Sequence, residues 1–339
     1  MPITGLGPHG ESAASPLTLK LSEADAAEVS KRRFSIAVVL HTTGSDWARQ
    51  HLAGISSLLG QHNAAIVDVV DCGFEASQQM AALTRLSKEK IDAVISIPIG
   101  NAQVADSHRA IQQAGKKLIL LDNTPSGLAA GTDYSCVVSA DNFGLGEIAA
   151  KLLSDKVSPN HKIGLLSYAV DFFATNEREI AFRKWINKHR PDLAIAQKKF
   201  HSLSEVQHVT QSLLNSEGLL GGLFVVWDEP AVIAASIFEK ARHSTPITTI
   251  DLGNAVAINM AKGGSIIGIG AQRPYDQGKA AATAALLALQ GRPLPSWVAL
   301  PGLSVTQDNV VEAYQTIWHT PAPTELLKLL KGSKLIERA

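Results

Sequence analysis

Short apolar runs alternate with helical segments along most of this chain, and this alternation constrains the fold more than any other feature. The run at 34–40, Phe-Ser-Ile-Ala-Val-Val-Leu, is typical of a strand buried on both faces. A polar loop and an amphipathic helix that reaches about Gly60 follow it directly. Strands that alternate with helices of this length predict parallel sheets joined by right-handed crossovers.

The alternation forms two series of nearly the same order and spacing. The first predicts strands at 34–40, 64–70, 92–97, 117–122 and 135–139, with helices near 46–60, 75–88 and 102–114. The second predicts strands at 162–168, 194–200, 221–227, 246–251 and 265–270, with helices near 175–189, 204–215, 229–243, 253–262 and 275–290. We therefore expect an α/β fold of two similar domains, each a doubly wound parallel sheet.

The two series follow one another without a Pro- or Gly-rich linker. The chain passes from Ser139 into a predicted helix at 143–156, for which Asp141 is a suitable N-cap. Such a boundary predicts a hinge that the chain crosses more than once. We expect an N-terminal tail at 1–33, an N-terminal lobe at 34–139 plus 273–298, a C-terminal lobe at 140–272 plus 299–320, and a C-terminal tail helix at 321–339.

Composition narrows the classes of function. The 31 basic and 31 acidic residues balance, which gives no electrostatic reason to expect nucleic acid or an anionic membrane surface as a partner. No run approaches the roughly 18 apolar residues of a transmembrane helix. Residues 1–10 lack the basic and apolar regions of a signal peptide, as the mature form of a secreted protein also would.

Two cysteines, Cys72 and Cys136, predict free and buried thiols rather than a disulfide framework or a metal cluster.

Two aspartates directly end predicted strands, at the edge where open α/β sheets bind ligands. Asp122 ends an apolar run of the first series, and Asp251 ends the equivalent run of the second. A carboxylate can accept hydrogen bonds from two sugar hydroxyls, and such charge-assisted bonds are stronger than bonds between neutral groups. Each aspartate could instead form a turn or cap a helix. We favour ligand contact for both.

Two tryptophans are candidates for the walls of a binding site. Trp47 lies in the first turn after the first strand, and Trp227 ends a strand of the second series. An indole offers a flat, rigid surface that can cover the C–H face of a sugar ring or polyol chain. Because the two come from opposite domains, domain closure would place a ligand between them. We interpret Trp185, Trp297 and Trp318 as packing residues.

Further polar candidates lie beside the strand ends. His41, Ser45 and Asp46 lie in the loop and first helical turn after the first strand, although Ser45 or Asp46 could cap that helix. His201 and Gln272 each follow a strand of the second series. The two histidines could contact a hydroxyl or serve as structural residues, whereas the amide offers both a donor and an acceptor. Among the 11 histidines no metal-ligand spacing occurs, so no metal site is predicted.

Several short motifs occur in an order and spacing that are specific to one family. They are Ile36-Ala-Val-Val with Trp47 and Gly54, Leu121-Asp122-Asn123, Ser139-Ala-Asp-Asn142, Asn176-Glu-Arg178 before Phe182, Trp227-Asp228-Glu229, Ile250-Asp251, and Ala271-Gln272-Arg-Pro274 with Gly278. In these motifs the chain, over about residues 34–305, resembles the periplasmic sugar-binding proteins of ABC importers. The resemblance is to the ribose- and galactose-binding group, the type I periplasmic binding proteins, which share their fold with lactose-repressor effector domains.

This resemblance implies a receptor with no chemistry of its own and no cofactor. Two lobes would close on a monosaccharide or sugar alcohol and deliver it to the membrane permease of an ABC transporter. The implied location is the periplasm, with any signal peptide removed. The resemblance also implies a monomer, with a chemoreceptor as a second candidate partner of the closed form.

The resemblance adds three residues to the candidate ligand-binding set. The family uses the position matching Asp122 for ligand contact, and Asn123 and Asn176 occupy positions where it often has arginines that grip the sugar ring. Arg178 belongs to the same motif as Asn176. The two asparagines disfavour ribose and lower the positive charge of the cleft, which leaves room for another monosaccharide or an acyclic sugar alcohol.

Three other functions match parts of the sequence. A sugar-responsive repressor fragment needs a DNA-binding headpiece, and residues 1–33 are too short and too rich in Gly and Pro to form one. The motif Gly144-Leu-Gly146-Glu-Ile-Ala149 has the form of a dinucleotide loop, but it does not directly follow a strand end, so close helix packing is favoured. Asp228 and Glu229 could be the paired acids of a glycosidase, but adjacent carboxylates diverge and are expected to cap a helix.

Overall fold

The computed structural model describes residues 2–336, with side chains up to residue 330. Its strands are β1 (Phe34–Leu40), β2 (Ala64–Asp71), β3 (Ala93–Ser96), β4 (Lys117–Leu121), β5 (Cys136–Ala140), β6 (Lys162–Tyr168), β7 (Ala194–Phe200), β8 (Gly222–Val225), β9 (Ile247–Ile250), β10 (Ile266–Ala271), β11 (Trp297–Leu300) and β12 (Leu303–Val305). Its α-helices are α1 (Glu23–Val29), α2 (Asp46–Gly60), α3 (Ala76–Lys88), α4 (Ala105–Gln113), α5 (Asn142–Ser154), α6 (Phe173–His189), α7 (Val206–Glu217), α8 (Asp228–Lys240), α9 (Asn254–Ala261), α10 (Pro274–Leu289), α11 (Val310–Trp318) and α12 (Thr324–Ile336).

The strands form two six-stranded sheets of matching topology. The first has the order β11-β5-β4-β3-β1-β2, and its paired strands are all parallel. The second has the order β12-β10-β9-β8-β6-β7 and is parallel except for β12, which pairs antiparallel with β10. This confirms the predicted α/β fold of two doubly wound sheets. We call the part built on the first sheet the N-terminal lobe and the part built on the second the C-terminal lobe.

The chain passes between the two sheets three times. It leaves the first sheet after β5, returns through α10 to β11, and leaves again through Pro301 and Gly302 to β12. Helix α10 packs against β3, β4 and β5 of the first sheet, whereas α5 packs against β8, β9 and β10 of the second. These passages confirm the predicted multi-crossover hinge.

The predicted elements differ from the structure mainly at their ends and in the last part of the chain. Strand β8 ends at Val225, and Trp227 lies in the extended segment that leads into α8. The strands β11 and β12, of four and three residues, were not predicted, and neither was α11. Short strands leave too little periodicity to be recognised. Met1 and residues 337–339, at the ends of the predicted tails, lie outside the described residues.

The N-terminal segment, predicted as a tail, lies along the body of the protein. Ala14 pairs with Val298 of β11 and so extends the first sheet at its edge. The Asp25 carboxylate is 6 % exposed and lies 2.7 Å from Arg292, which follows α10. Near the hinge, the backbone N–H groups of Thr4 and Gly5 donate to the Asp141 side chain. The segment therefore contacts the N-terminal lobe and the start of α5.

Both cysteines are buried and free, as the sequence predicts. Burial raises the pKa of Cys72 to about 11 and the pKa of Cys136 to about 12, so neither thiol is a ready nucleophile. Among the described residues, no helix is both long enough and apolar enough to span a membrane.

Glycines allow close helix crossings in both lobes. In the N-terminal lobe, a Cβ on Gly54 of α2 would lie 2.0 Å from the Tyr275 carbonyl oxygen of α10, and one on Gly278 would lie 2.3 Å from the His51 carbonyl oxygen. In the C-terminal lobe, a Cβ on Gly146 of α5 would lie 2.3 Å from the Arg178 carbonyl oxygen of α6. Gly146, the second glycine of the dinucleotide-like motif, is therefore needed for the contact between α5 and α6.

We expect Gly54→Ala to destabilise the protein by about 1–3 kcal/mol, because the added methyl meets backbone and the two helices must separate. Gly60→Ala in the same helix is the matched control, since a Cβ there meets nothing within 4 Å and alanine is the better helix former by up to about 1 kcal/mol. Urea denaturation of both variants measures the difference. Equal stability of the two variants would show that the crossing tolerates a side chain.

Candidate ligand-binding site

A cavity lies between the two lobes, beside the carboxyl ends of the central strands of both sheets. Its free space, including the part that is open to solvent, is about 730 Å³. Most of the predicted ligand-binding residues line it: His41, Ser45, Trp47, Asp122, Arg178, Trp227, Asp251 and Gln272. Parallel strands present their ends at one edge of a sheet, and here the two edges face each other.

Asp122 follows β4 in the left-handed backbone region, with φ at 51°, and its side chain is buried. Its Oδ1 accepts a hydrogen bond from the Ala140 backbone N–H at 3.1 Å, and its Oδ2 accepts from Gln277 Nε2 at 2.9 Å. Burial raises the pKa of Asp122, although these bonds favour its charged form. The carboxylate thus lines the cavity and also joins β4 to β5 and α10. Its contact with a ligand stays a prediction.

Asp251 occupies the equivalent place after β9, also in the left-handed region, with φ at 75°. It is 9 % exposed, and its Oδ1 has no hydrogen-bond partner among the described residues. Its Oδ2 lies 3.9 Å from Arg178 Nη1. Burial raises the pKa of Asp251 to about 6, and the Arg178 charge opposes this shift. A side-chain hydrogen bond from Gln272 also favours the charged form, so the unsatisfied acceptor is one buried oxygen, Oδ1, among the described residues.

The raised pKa of Asp251 predicts a pH dependence of stability. Because the folded state holds this proton up to about pH 6 and the unfolded chain loses it near 3.8, ionisation of Asp251 costs stability as the pH rises through this window. We expect the free energy of unfolding of the wild type to fall relative to Asp251→Asn across the same window. Urea denaturation at a series of pH values tests this. A difference between the two proteins that does not vary with pH would contradict it.

Arg178 is the one cationic side chain among the described residues that line the cavity. It lies on α6 and is 5 % exposed. Its Nε donates to Asn142 Oδ1 and its Nη1 to the Val226 carbonyl oxygen, both at 2.9 Å. These bonds hold the guanidinium in one orientation beside Asp251.

Two acidic residues that we expected to be helix caps also line the cavity. Helix α8 begins at Asp228 itself, so Asp228 and Glu229 form its first turn, and both residues line the cavity. Asp228 Oδ1 accepts from the Glu229 backbone N–H at 2.9 Å. Burial raises the pKa of Asp228 well above its usual range, and the charges of Asp251 and Glu229 raise it further. Burial also raises the pKa of Glu229.

Aromatic residues from both lobes line the cavity. On the N-terminal lobe, Trp47 donates from Nε1 to Gln272 Oε1 at 3.4 Å. On the C-terminal lobe, Trp227 packs edge-on against Tyr168, with ring centroids 5.2 Å apart. Three further aromatic residues that line the cavity, Tyr168, Phe74 and Phe172, were not among the predicted ones. Tyr168 ends β6 and could have been found by the same strand-end argument that found the tryptophans.

The first loop supplies both a structural and a cavity-lining residue. Ser45 caps α2, since its hydroxyl accepts from the Ala48 backbone N–H at 3.1 Å, and it also lines the cavity. His41 packs against Trp47 and Phe74, with ring centroids 5.3 and 4.8 Å away. Burial lowers the pKa of His41 to about 4, so its ring is neutral at physiological pH.

Two other predicted residues connect the lobes directly. Asn123 donates from Nδ2 to the Pro98 carbonyl oxygen, and its Oδ1 accepts from the Phe173 backbone N–H of α6 at 3.1 Å. Asp46 accepts from the Asn254 backbone N–H of α9 at 2.7 Å. The bond between Asn123 and Phe173 and the bond between Asp46 and Asn254 each join the N-terminal lobe to the C-terminal lobe. A third such bond joins Asn101 Nδ2 to Asp171 Oδ2 at 2.6 Å.

The structure does not bring the last two predicted residues to the cavity. His201 follows the edge strand β7, and its side chain is 72 % exposed beside Glu205. Asn176 lies on α6, and its Nδ2 donates to Asp171 Oδ1 at 2.8 Å in an exposed position. Of these two predicted residues of α6, only Arg178, two residues after Asn176, lines the cavity.

Two hinged parallel-sheet lobes that enclose a buried polar and aromatic cavity define a two-lobed solute-binding protein. The chain belongs to the periplasmic binding protein domain family, whose profile matches residues 36–293. This confirms the resemblance that the sequence motifs predict.

Relatives and solved structures agree with this assignment. The chain is 22 % identical to the ribose import binding protein RbsB of Bacillus subtilis. The 271 aligned residues cover 80 % of this chain and 87 % of that protein. It is similar, with a TM-score of 0.77 and 20 % identity, to an ABC transporter solute-binding protein from Agrobacterium vitis bound to α-D-tagatopyranose, over 86 % of this chain and 100 % of that one. A second Agrobacterium vitis solute-binding protein, bound to D-fucose, matches with a TM-score of 0.77 and 20 % identity over 84 % and 99 % of the two chains.

Proposed function

We propose that this chain is the solute-binding component of an ABC importer and captures a monosaccharide or sugar alcohol between its two lobes. The observation that carries the proposal is the buried side chain of Asp251, a residue that lines the cavity and whose Oδ1 has no hydrogen-bond partner among the described residues. A sugar hydroxyl would donate to it. Trp47 and Trp227 would cover the two faces of the ring or chain.

The arrangement favours binding by closure. Residues from both lobes surround the cavity, so a ligand held by one lobe gains its remaining hydrogen bonds only when the lobes meet. Closure also removes water, which strengthens each polar contact. The closed form would then dock on the permease subunits, in the periplasm, and a chemoreceptor is a second candidate reader of the same form. No catalytic step is proposed.

The bound sugars of the similar structures support the class of ligand. Those proteins are described with α-D-tagatopyranose and D-fucose, and another Agrobacterium vitis solute-binding protein is described with allitol, an acyclic polyol. Cyclic and open-chain polyols therefore both belong in the screen for this chain.

A thermal-shift screen over pentoses, hexoses and sugar alcohols tests the proposal. A true ligand at about 100 times its Kd should stabilise the protein by about 2.7 kcal/mol. Intrinsic tryptophan emission should change in the same titration, because Trp47 and Trp227 line the cavity. If no neutral or charged sugar or polyol changes the melting temperature or the emission, the proposed function is wrong.

A further inference from the structure

Asp122 and Arg178 line the cavity from different lobes, and one buried asparagine bonds to both of them. Asn142 is the first residue of α5, where the chain has just left β5 for the C-terminal lobe. It is 3 % exposed and is not among the described residues that line the cavity. Its side chain can therefore affect a ligand only through other residues.

The amide of Asn142 has one orientation that suits its neighbours. Its Oδ1 accepts from Arg178 Nε at 2.9 Å, and its Nδ2 donates to Asp122 Oδ1 at 3.5 Å and to the Ala140 carbonyl oxygen at 3.3 Å. A guanidinium can only donate, whereas a carboxylate and a carbonyl oxygen can only accept. The asparagine thus supplies the acceptor that one side needs and the donor that the other side needs.

Buried polar contacts continue from this amide in both directions. Asp122 Oδ2 accepts from Gln277 Nε2 of α10 at 2.9 Å, and the Gln277 side chain is buried. Arg178 Nη1 donates to the Val226 carbonyl oxygen at 2.9 Å and lies 3.9 Å from Asp251 Oδ2. A chain of buried polar contacts therefore runs from α10, through the start of α5, to the end of β9.

Groups in such a chain hold one another in place. A buried side chain cannot rotate away from its partner without leaving a polar group unsatisfied, and this is costly in a low-dielectric interior. Ligand-binding side chains work well when the groups behind them hold their geometry to within about 0.5 Å. An amide that bonds to a side chain from each lobe is suited to this task.

We propose that Asn142 is a positioning residue for the ligand, whose amide sets the placement of Asp122 and Arg178 relative to each other. This inference rests on the proposed function and takes Asp122 and Arg178 as two of the side chains that contact the ligand. Because Asn142 lies where the chain first passes between the sheets, its contacts join the two lobes at the hinge.

Asn142→Asp tests this, because the change keeps the shape and the acceptor for Arg178 but replaces the donor to Asp122 by a carboxylate oxygen. Two carboxylates in contact can share one proton, and they repel each other when both are charged. We expect ligand to bind the variant at least about tenfold more weakly than the wild type near pH 8, but within about threefold of it near pH 5. Calorimetric titration with D-tagatose, D-fucose and allitol, the ligands described for the similar structures, measures this ratio.

The ratio of the two Kd values isolates the change at residue 142. Glu177 on α6, Asp251 after β9 and Asp141 beside Asn142 are further ionisable groups near this position, and they are the same in both proteins. Their effects therefore cancel at each pH. Asn187→Asp, at an exposed asparagine of α6, is the matched control and should bind as the wild type does at both pH values.

Urea denaturation of the ligand-free proteins gives a second measurement. The free energy of unfolding of Asn142→Asp should fall relative to the wild type as the pH rises, because the folded pair of carboxyl groups holds a proton that the unfolded chain releases. Adding Asp122→Asn to this variant should remove most of the trend, since the like charge is then gone.

Three results would overturn the inference and leave the proposed function standing. They are a loss of affinity that is equal at both pH values, a stability difference without a pH trend, and a variant that is unfolded at both pH values. If no sugar or polyol of the wider screen binds, the proposed function fails instead. The stability trend then decides alone whether Asn142 holds Asp122.

Discussion

Asp251→Ala is expected to weaken ligand binding by at least about a hundredfold, because a charged acceptor that takes two ligand hydrogen bonds contributes roughly 3 kcal/mol or more. The same change should lower the stability of the ligand-free protein only slightly, because the Asp251 Oδ2 lies 3.9 Å from Arg178, which keeps its bonds to Asn142 and Val226. The Asp251 Oδ1 is unpaired among the described residues, and burial of this carboxylate costs free energy in the folded state.

Calorimetric titration and thermal denaturation of the same variant separate the two effects. Asp308→Ala is the control, since Asp308 is an exposed carboxylate in the turn before α11, and it should change neither quantity. A variant that binds ligand with the wild-type Kd would remove Asp251 from the site. A variant that melts well below the wild type would mean that the carboxylate serves the fold instead.

Arg178→Met is expected to cost about 2–5 kcal/mol of stability, since each buried acceptor left without its donor typically costs about 1–3 kcal/mol. The change removes the donors to Asn142 Oδ1 and to the Val226 carbonyl oxygen and leaves Asp251 without its nearest cation. Ligand affinity should fall as well, because the side chain lines the cavity.

Arg183 on the same helix provides the matched control. It pairs with Glu179, four residues earlier, and its side chain is 32 % exposed, so Arg183→Met should cost no more than about 1 kcal/mol. Urea denaturation compares the two variants. Part of the lost stability should return in the double variant Arg178→Met with Asp251→Asn, since the second change removes the unpaired charge. Equal losses at Arg178 and Arg183 would refute the structural role of Arg178.

Two acidic residues of the cavity were predictable because the end of a buried strand can be recognised from local sequence alone. A buried apolar run followed by an aspartate fixes both the strand and the edge at which the aspartate lies, and this placed Asp122 and Asp251 at the cavity. The same rule placed His201 there, but β7 is the last strand of its sheet. Strand order comes from long-range pairing, which the local pattern does not contain.

Helix starts were harder to interpret. Asp228 and Glu229 fit the composition of an N-terminal turn, which favours acidic residues for reasons of helix dipole alone. Only the facing lobe makes them part of a cavity. On α6, Asn176 and Arg178 lie about 200° apart around the helix axis, so they point in different directions, and sequence position alone did not say which one faces inward.

Asn123 and Asp46 show a further limit. Their hydrogen-bond partners, Phe173 and Asn254, are distant in sequence and belong to the other lobe. Short polar side chains at strand ends suit either a ligand or a neighbouring backbone group, and the choice depends on how the two lobes approach each other. That approach is a tertiary property.

The hydrogen bonds that Asn123, Asp46 and Asn101 make to the opposite lobe stabilise the closed conformation, and this affects how tightly a ligand is held. The apparent dissociation constant is the intrinsic constant of the shut conformer divided by its fraction at equilibrium. Residues that do not contact the ligand can therefore change its affinity and its release rate. Evolution can in this way adapt transport to the available concentration of the ligand without changing which ligand is recognised.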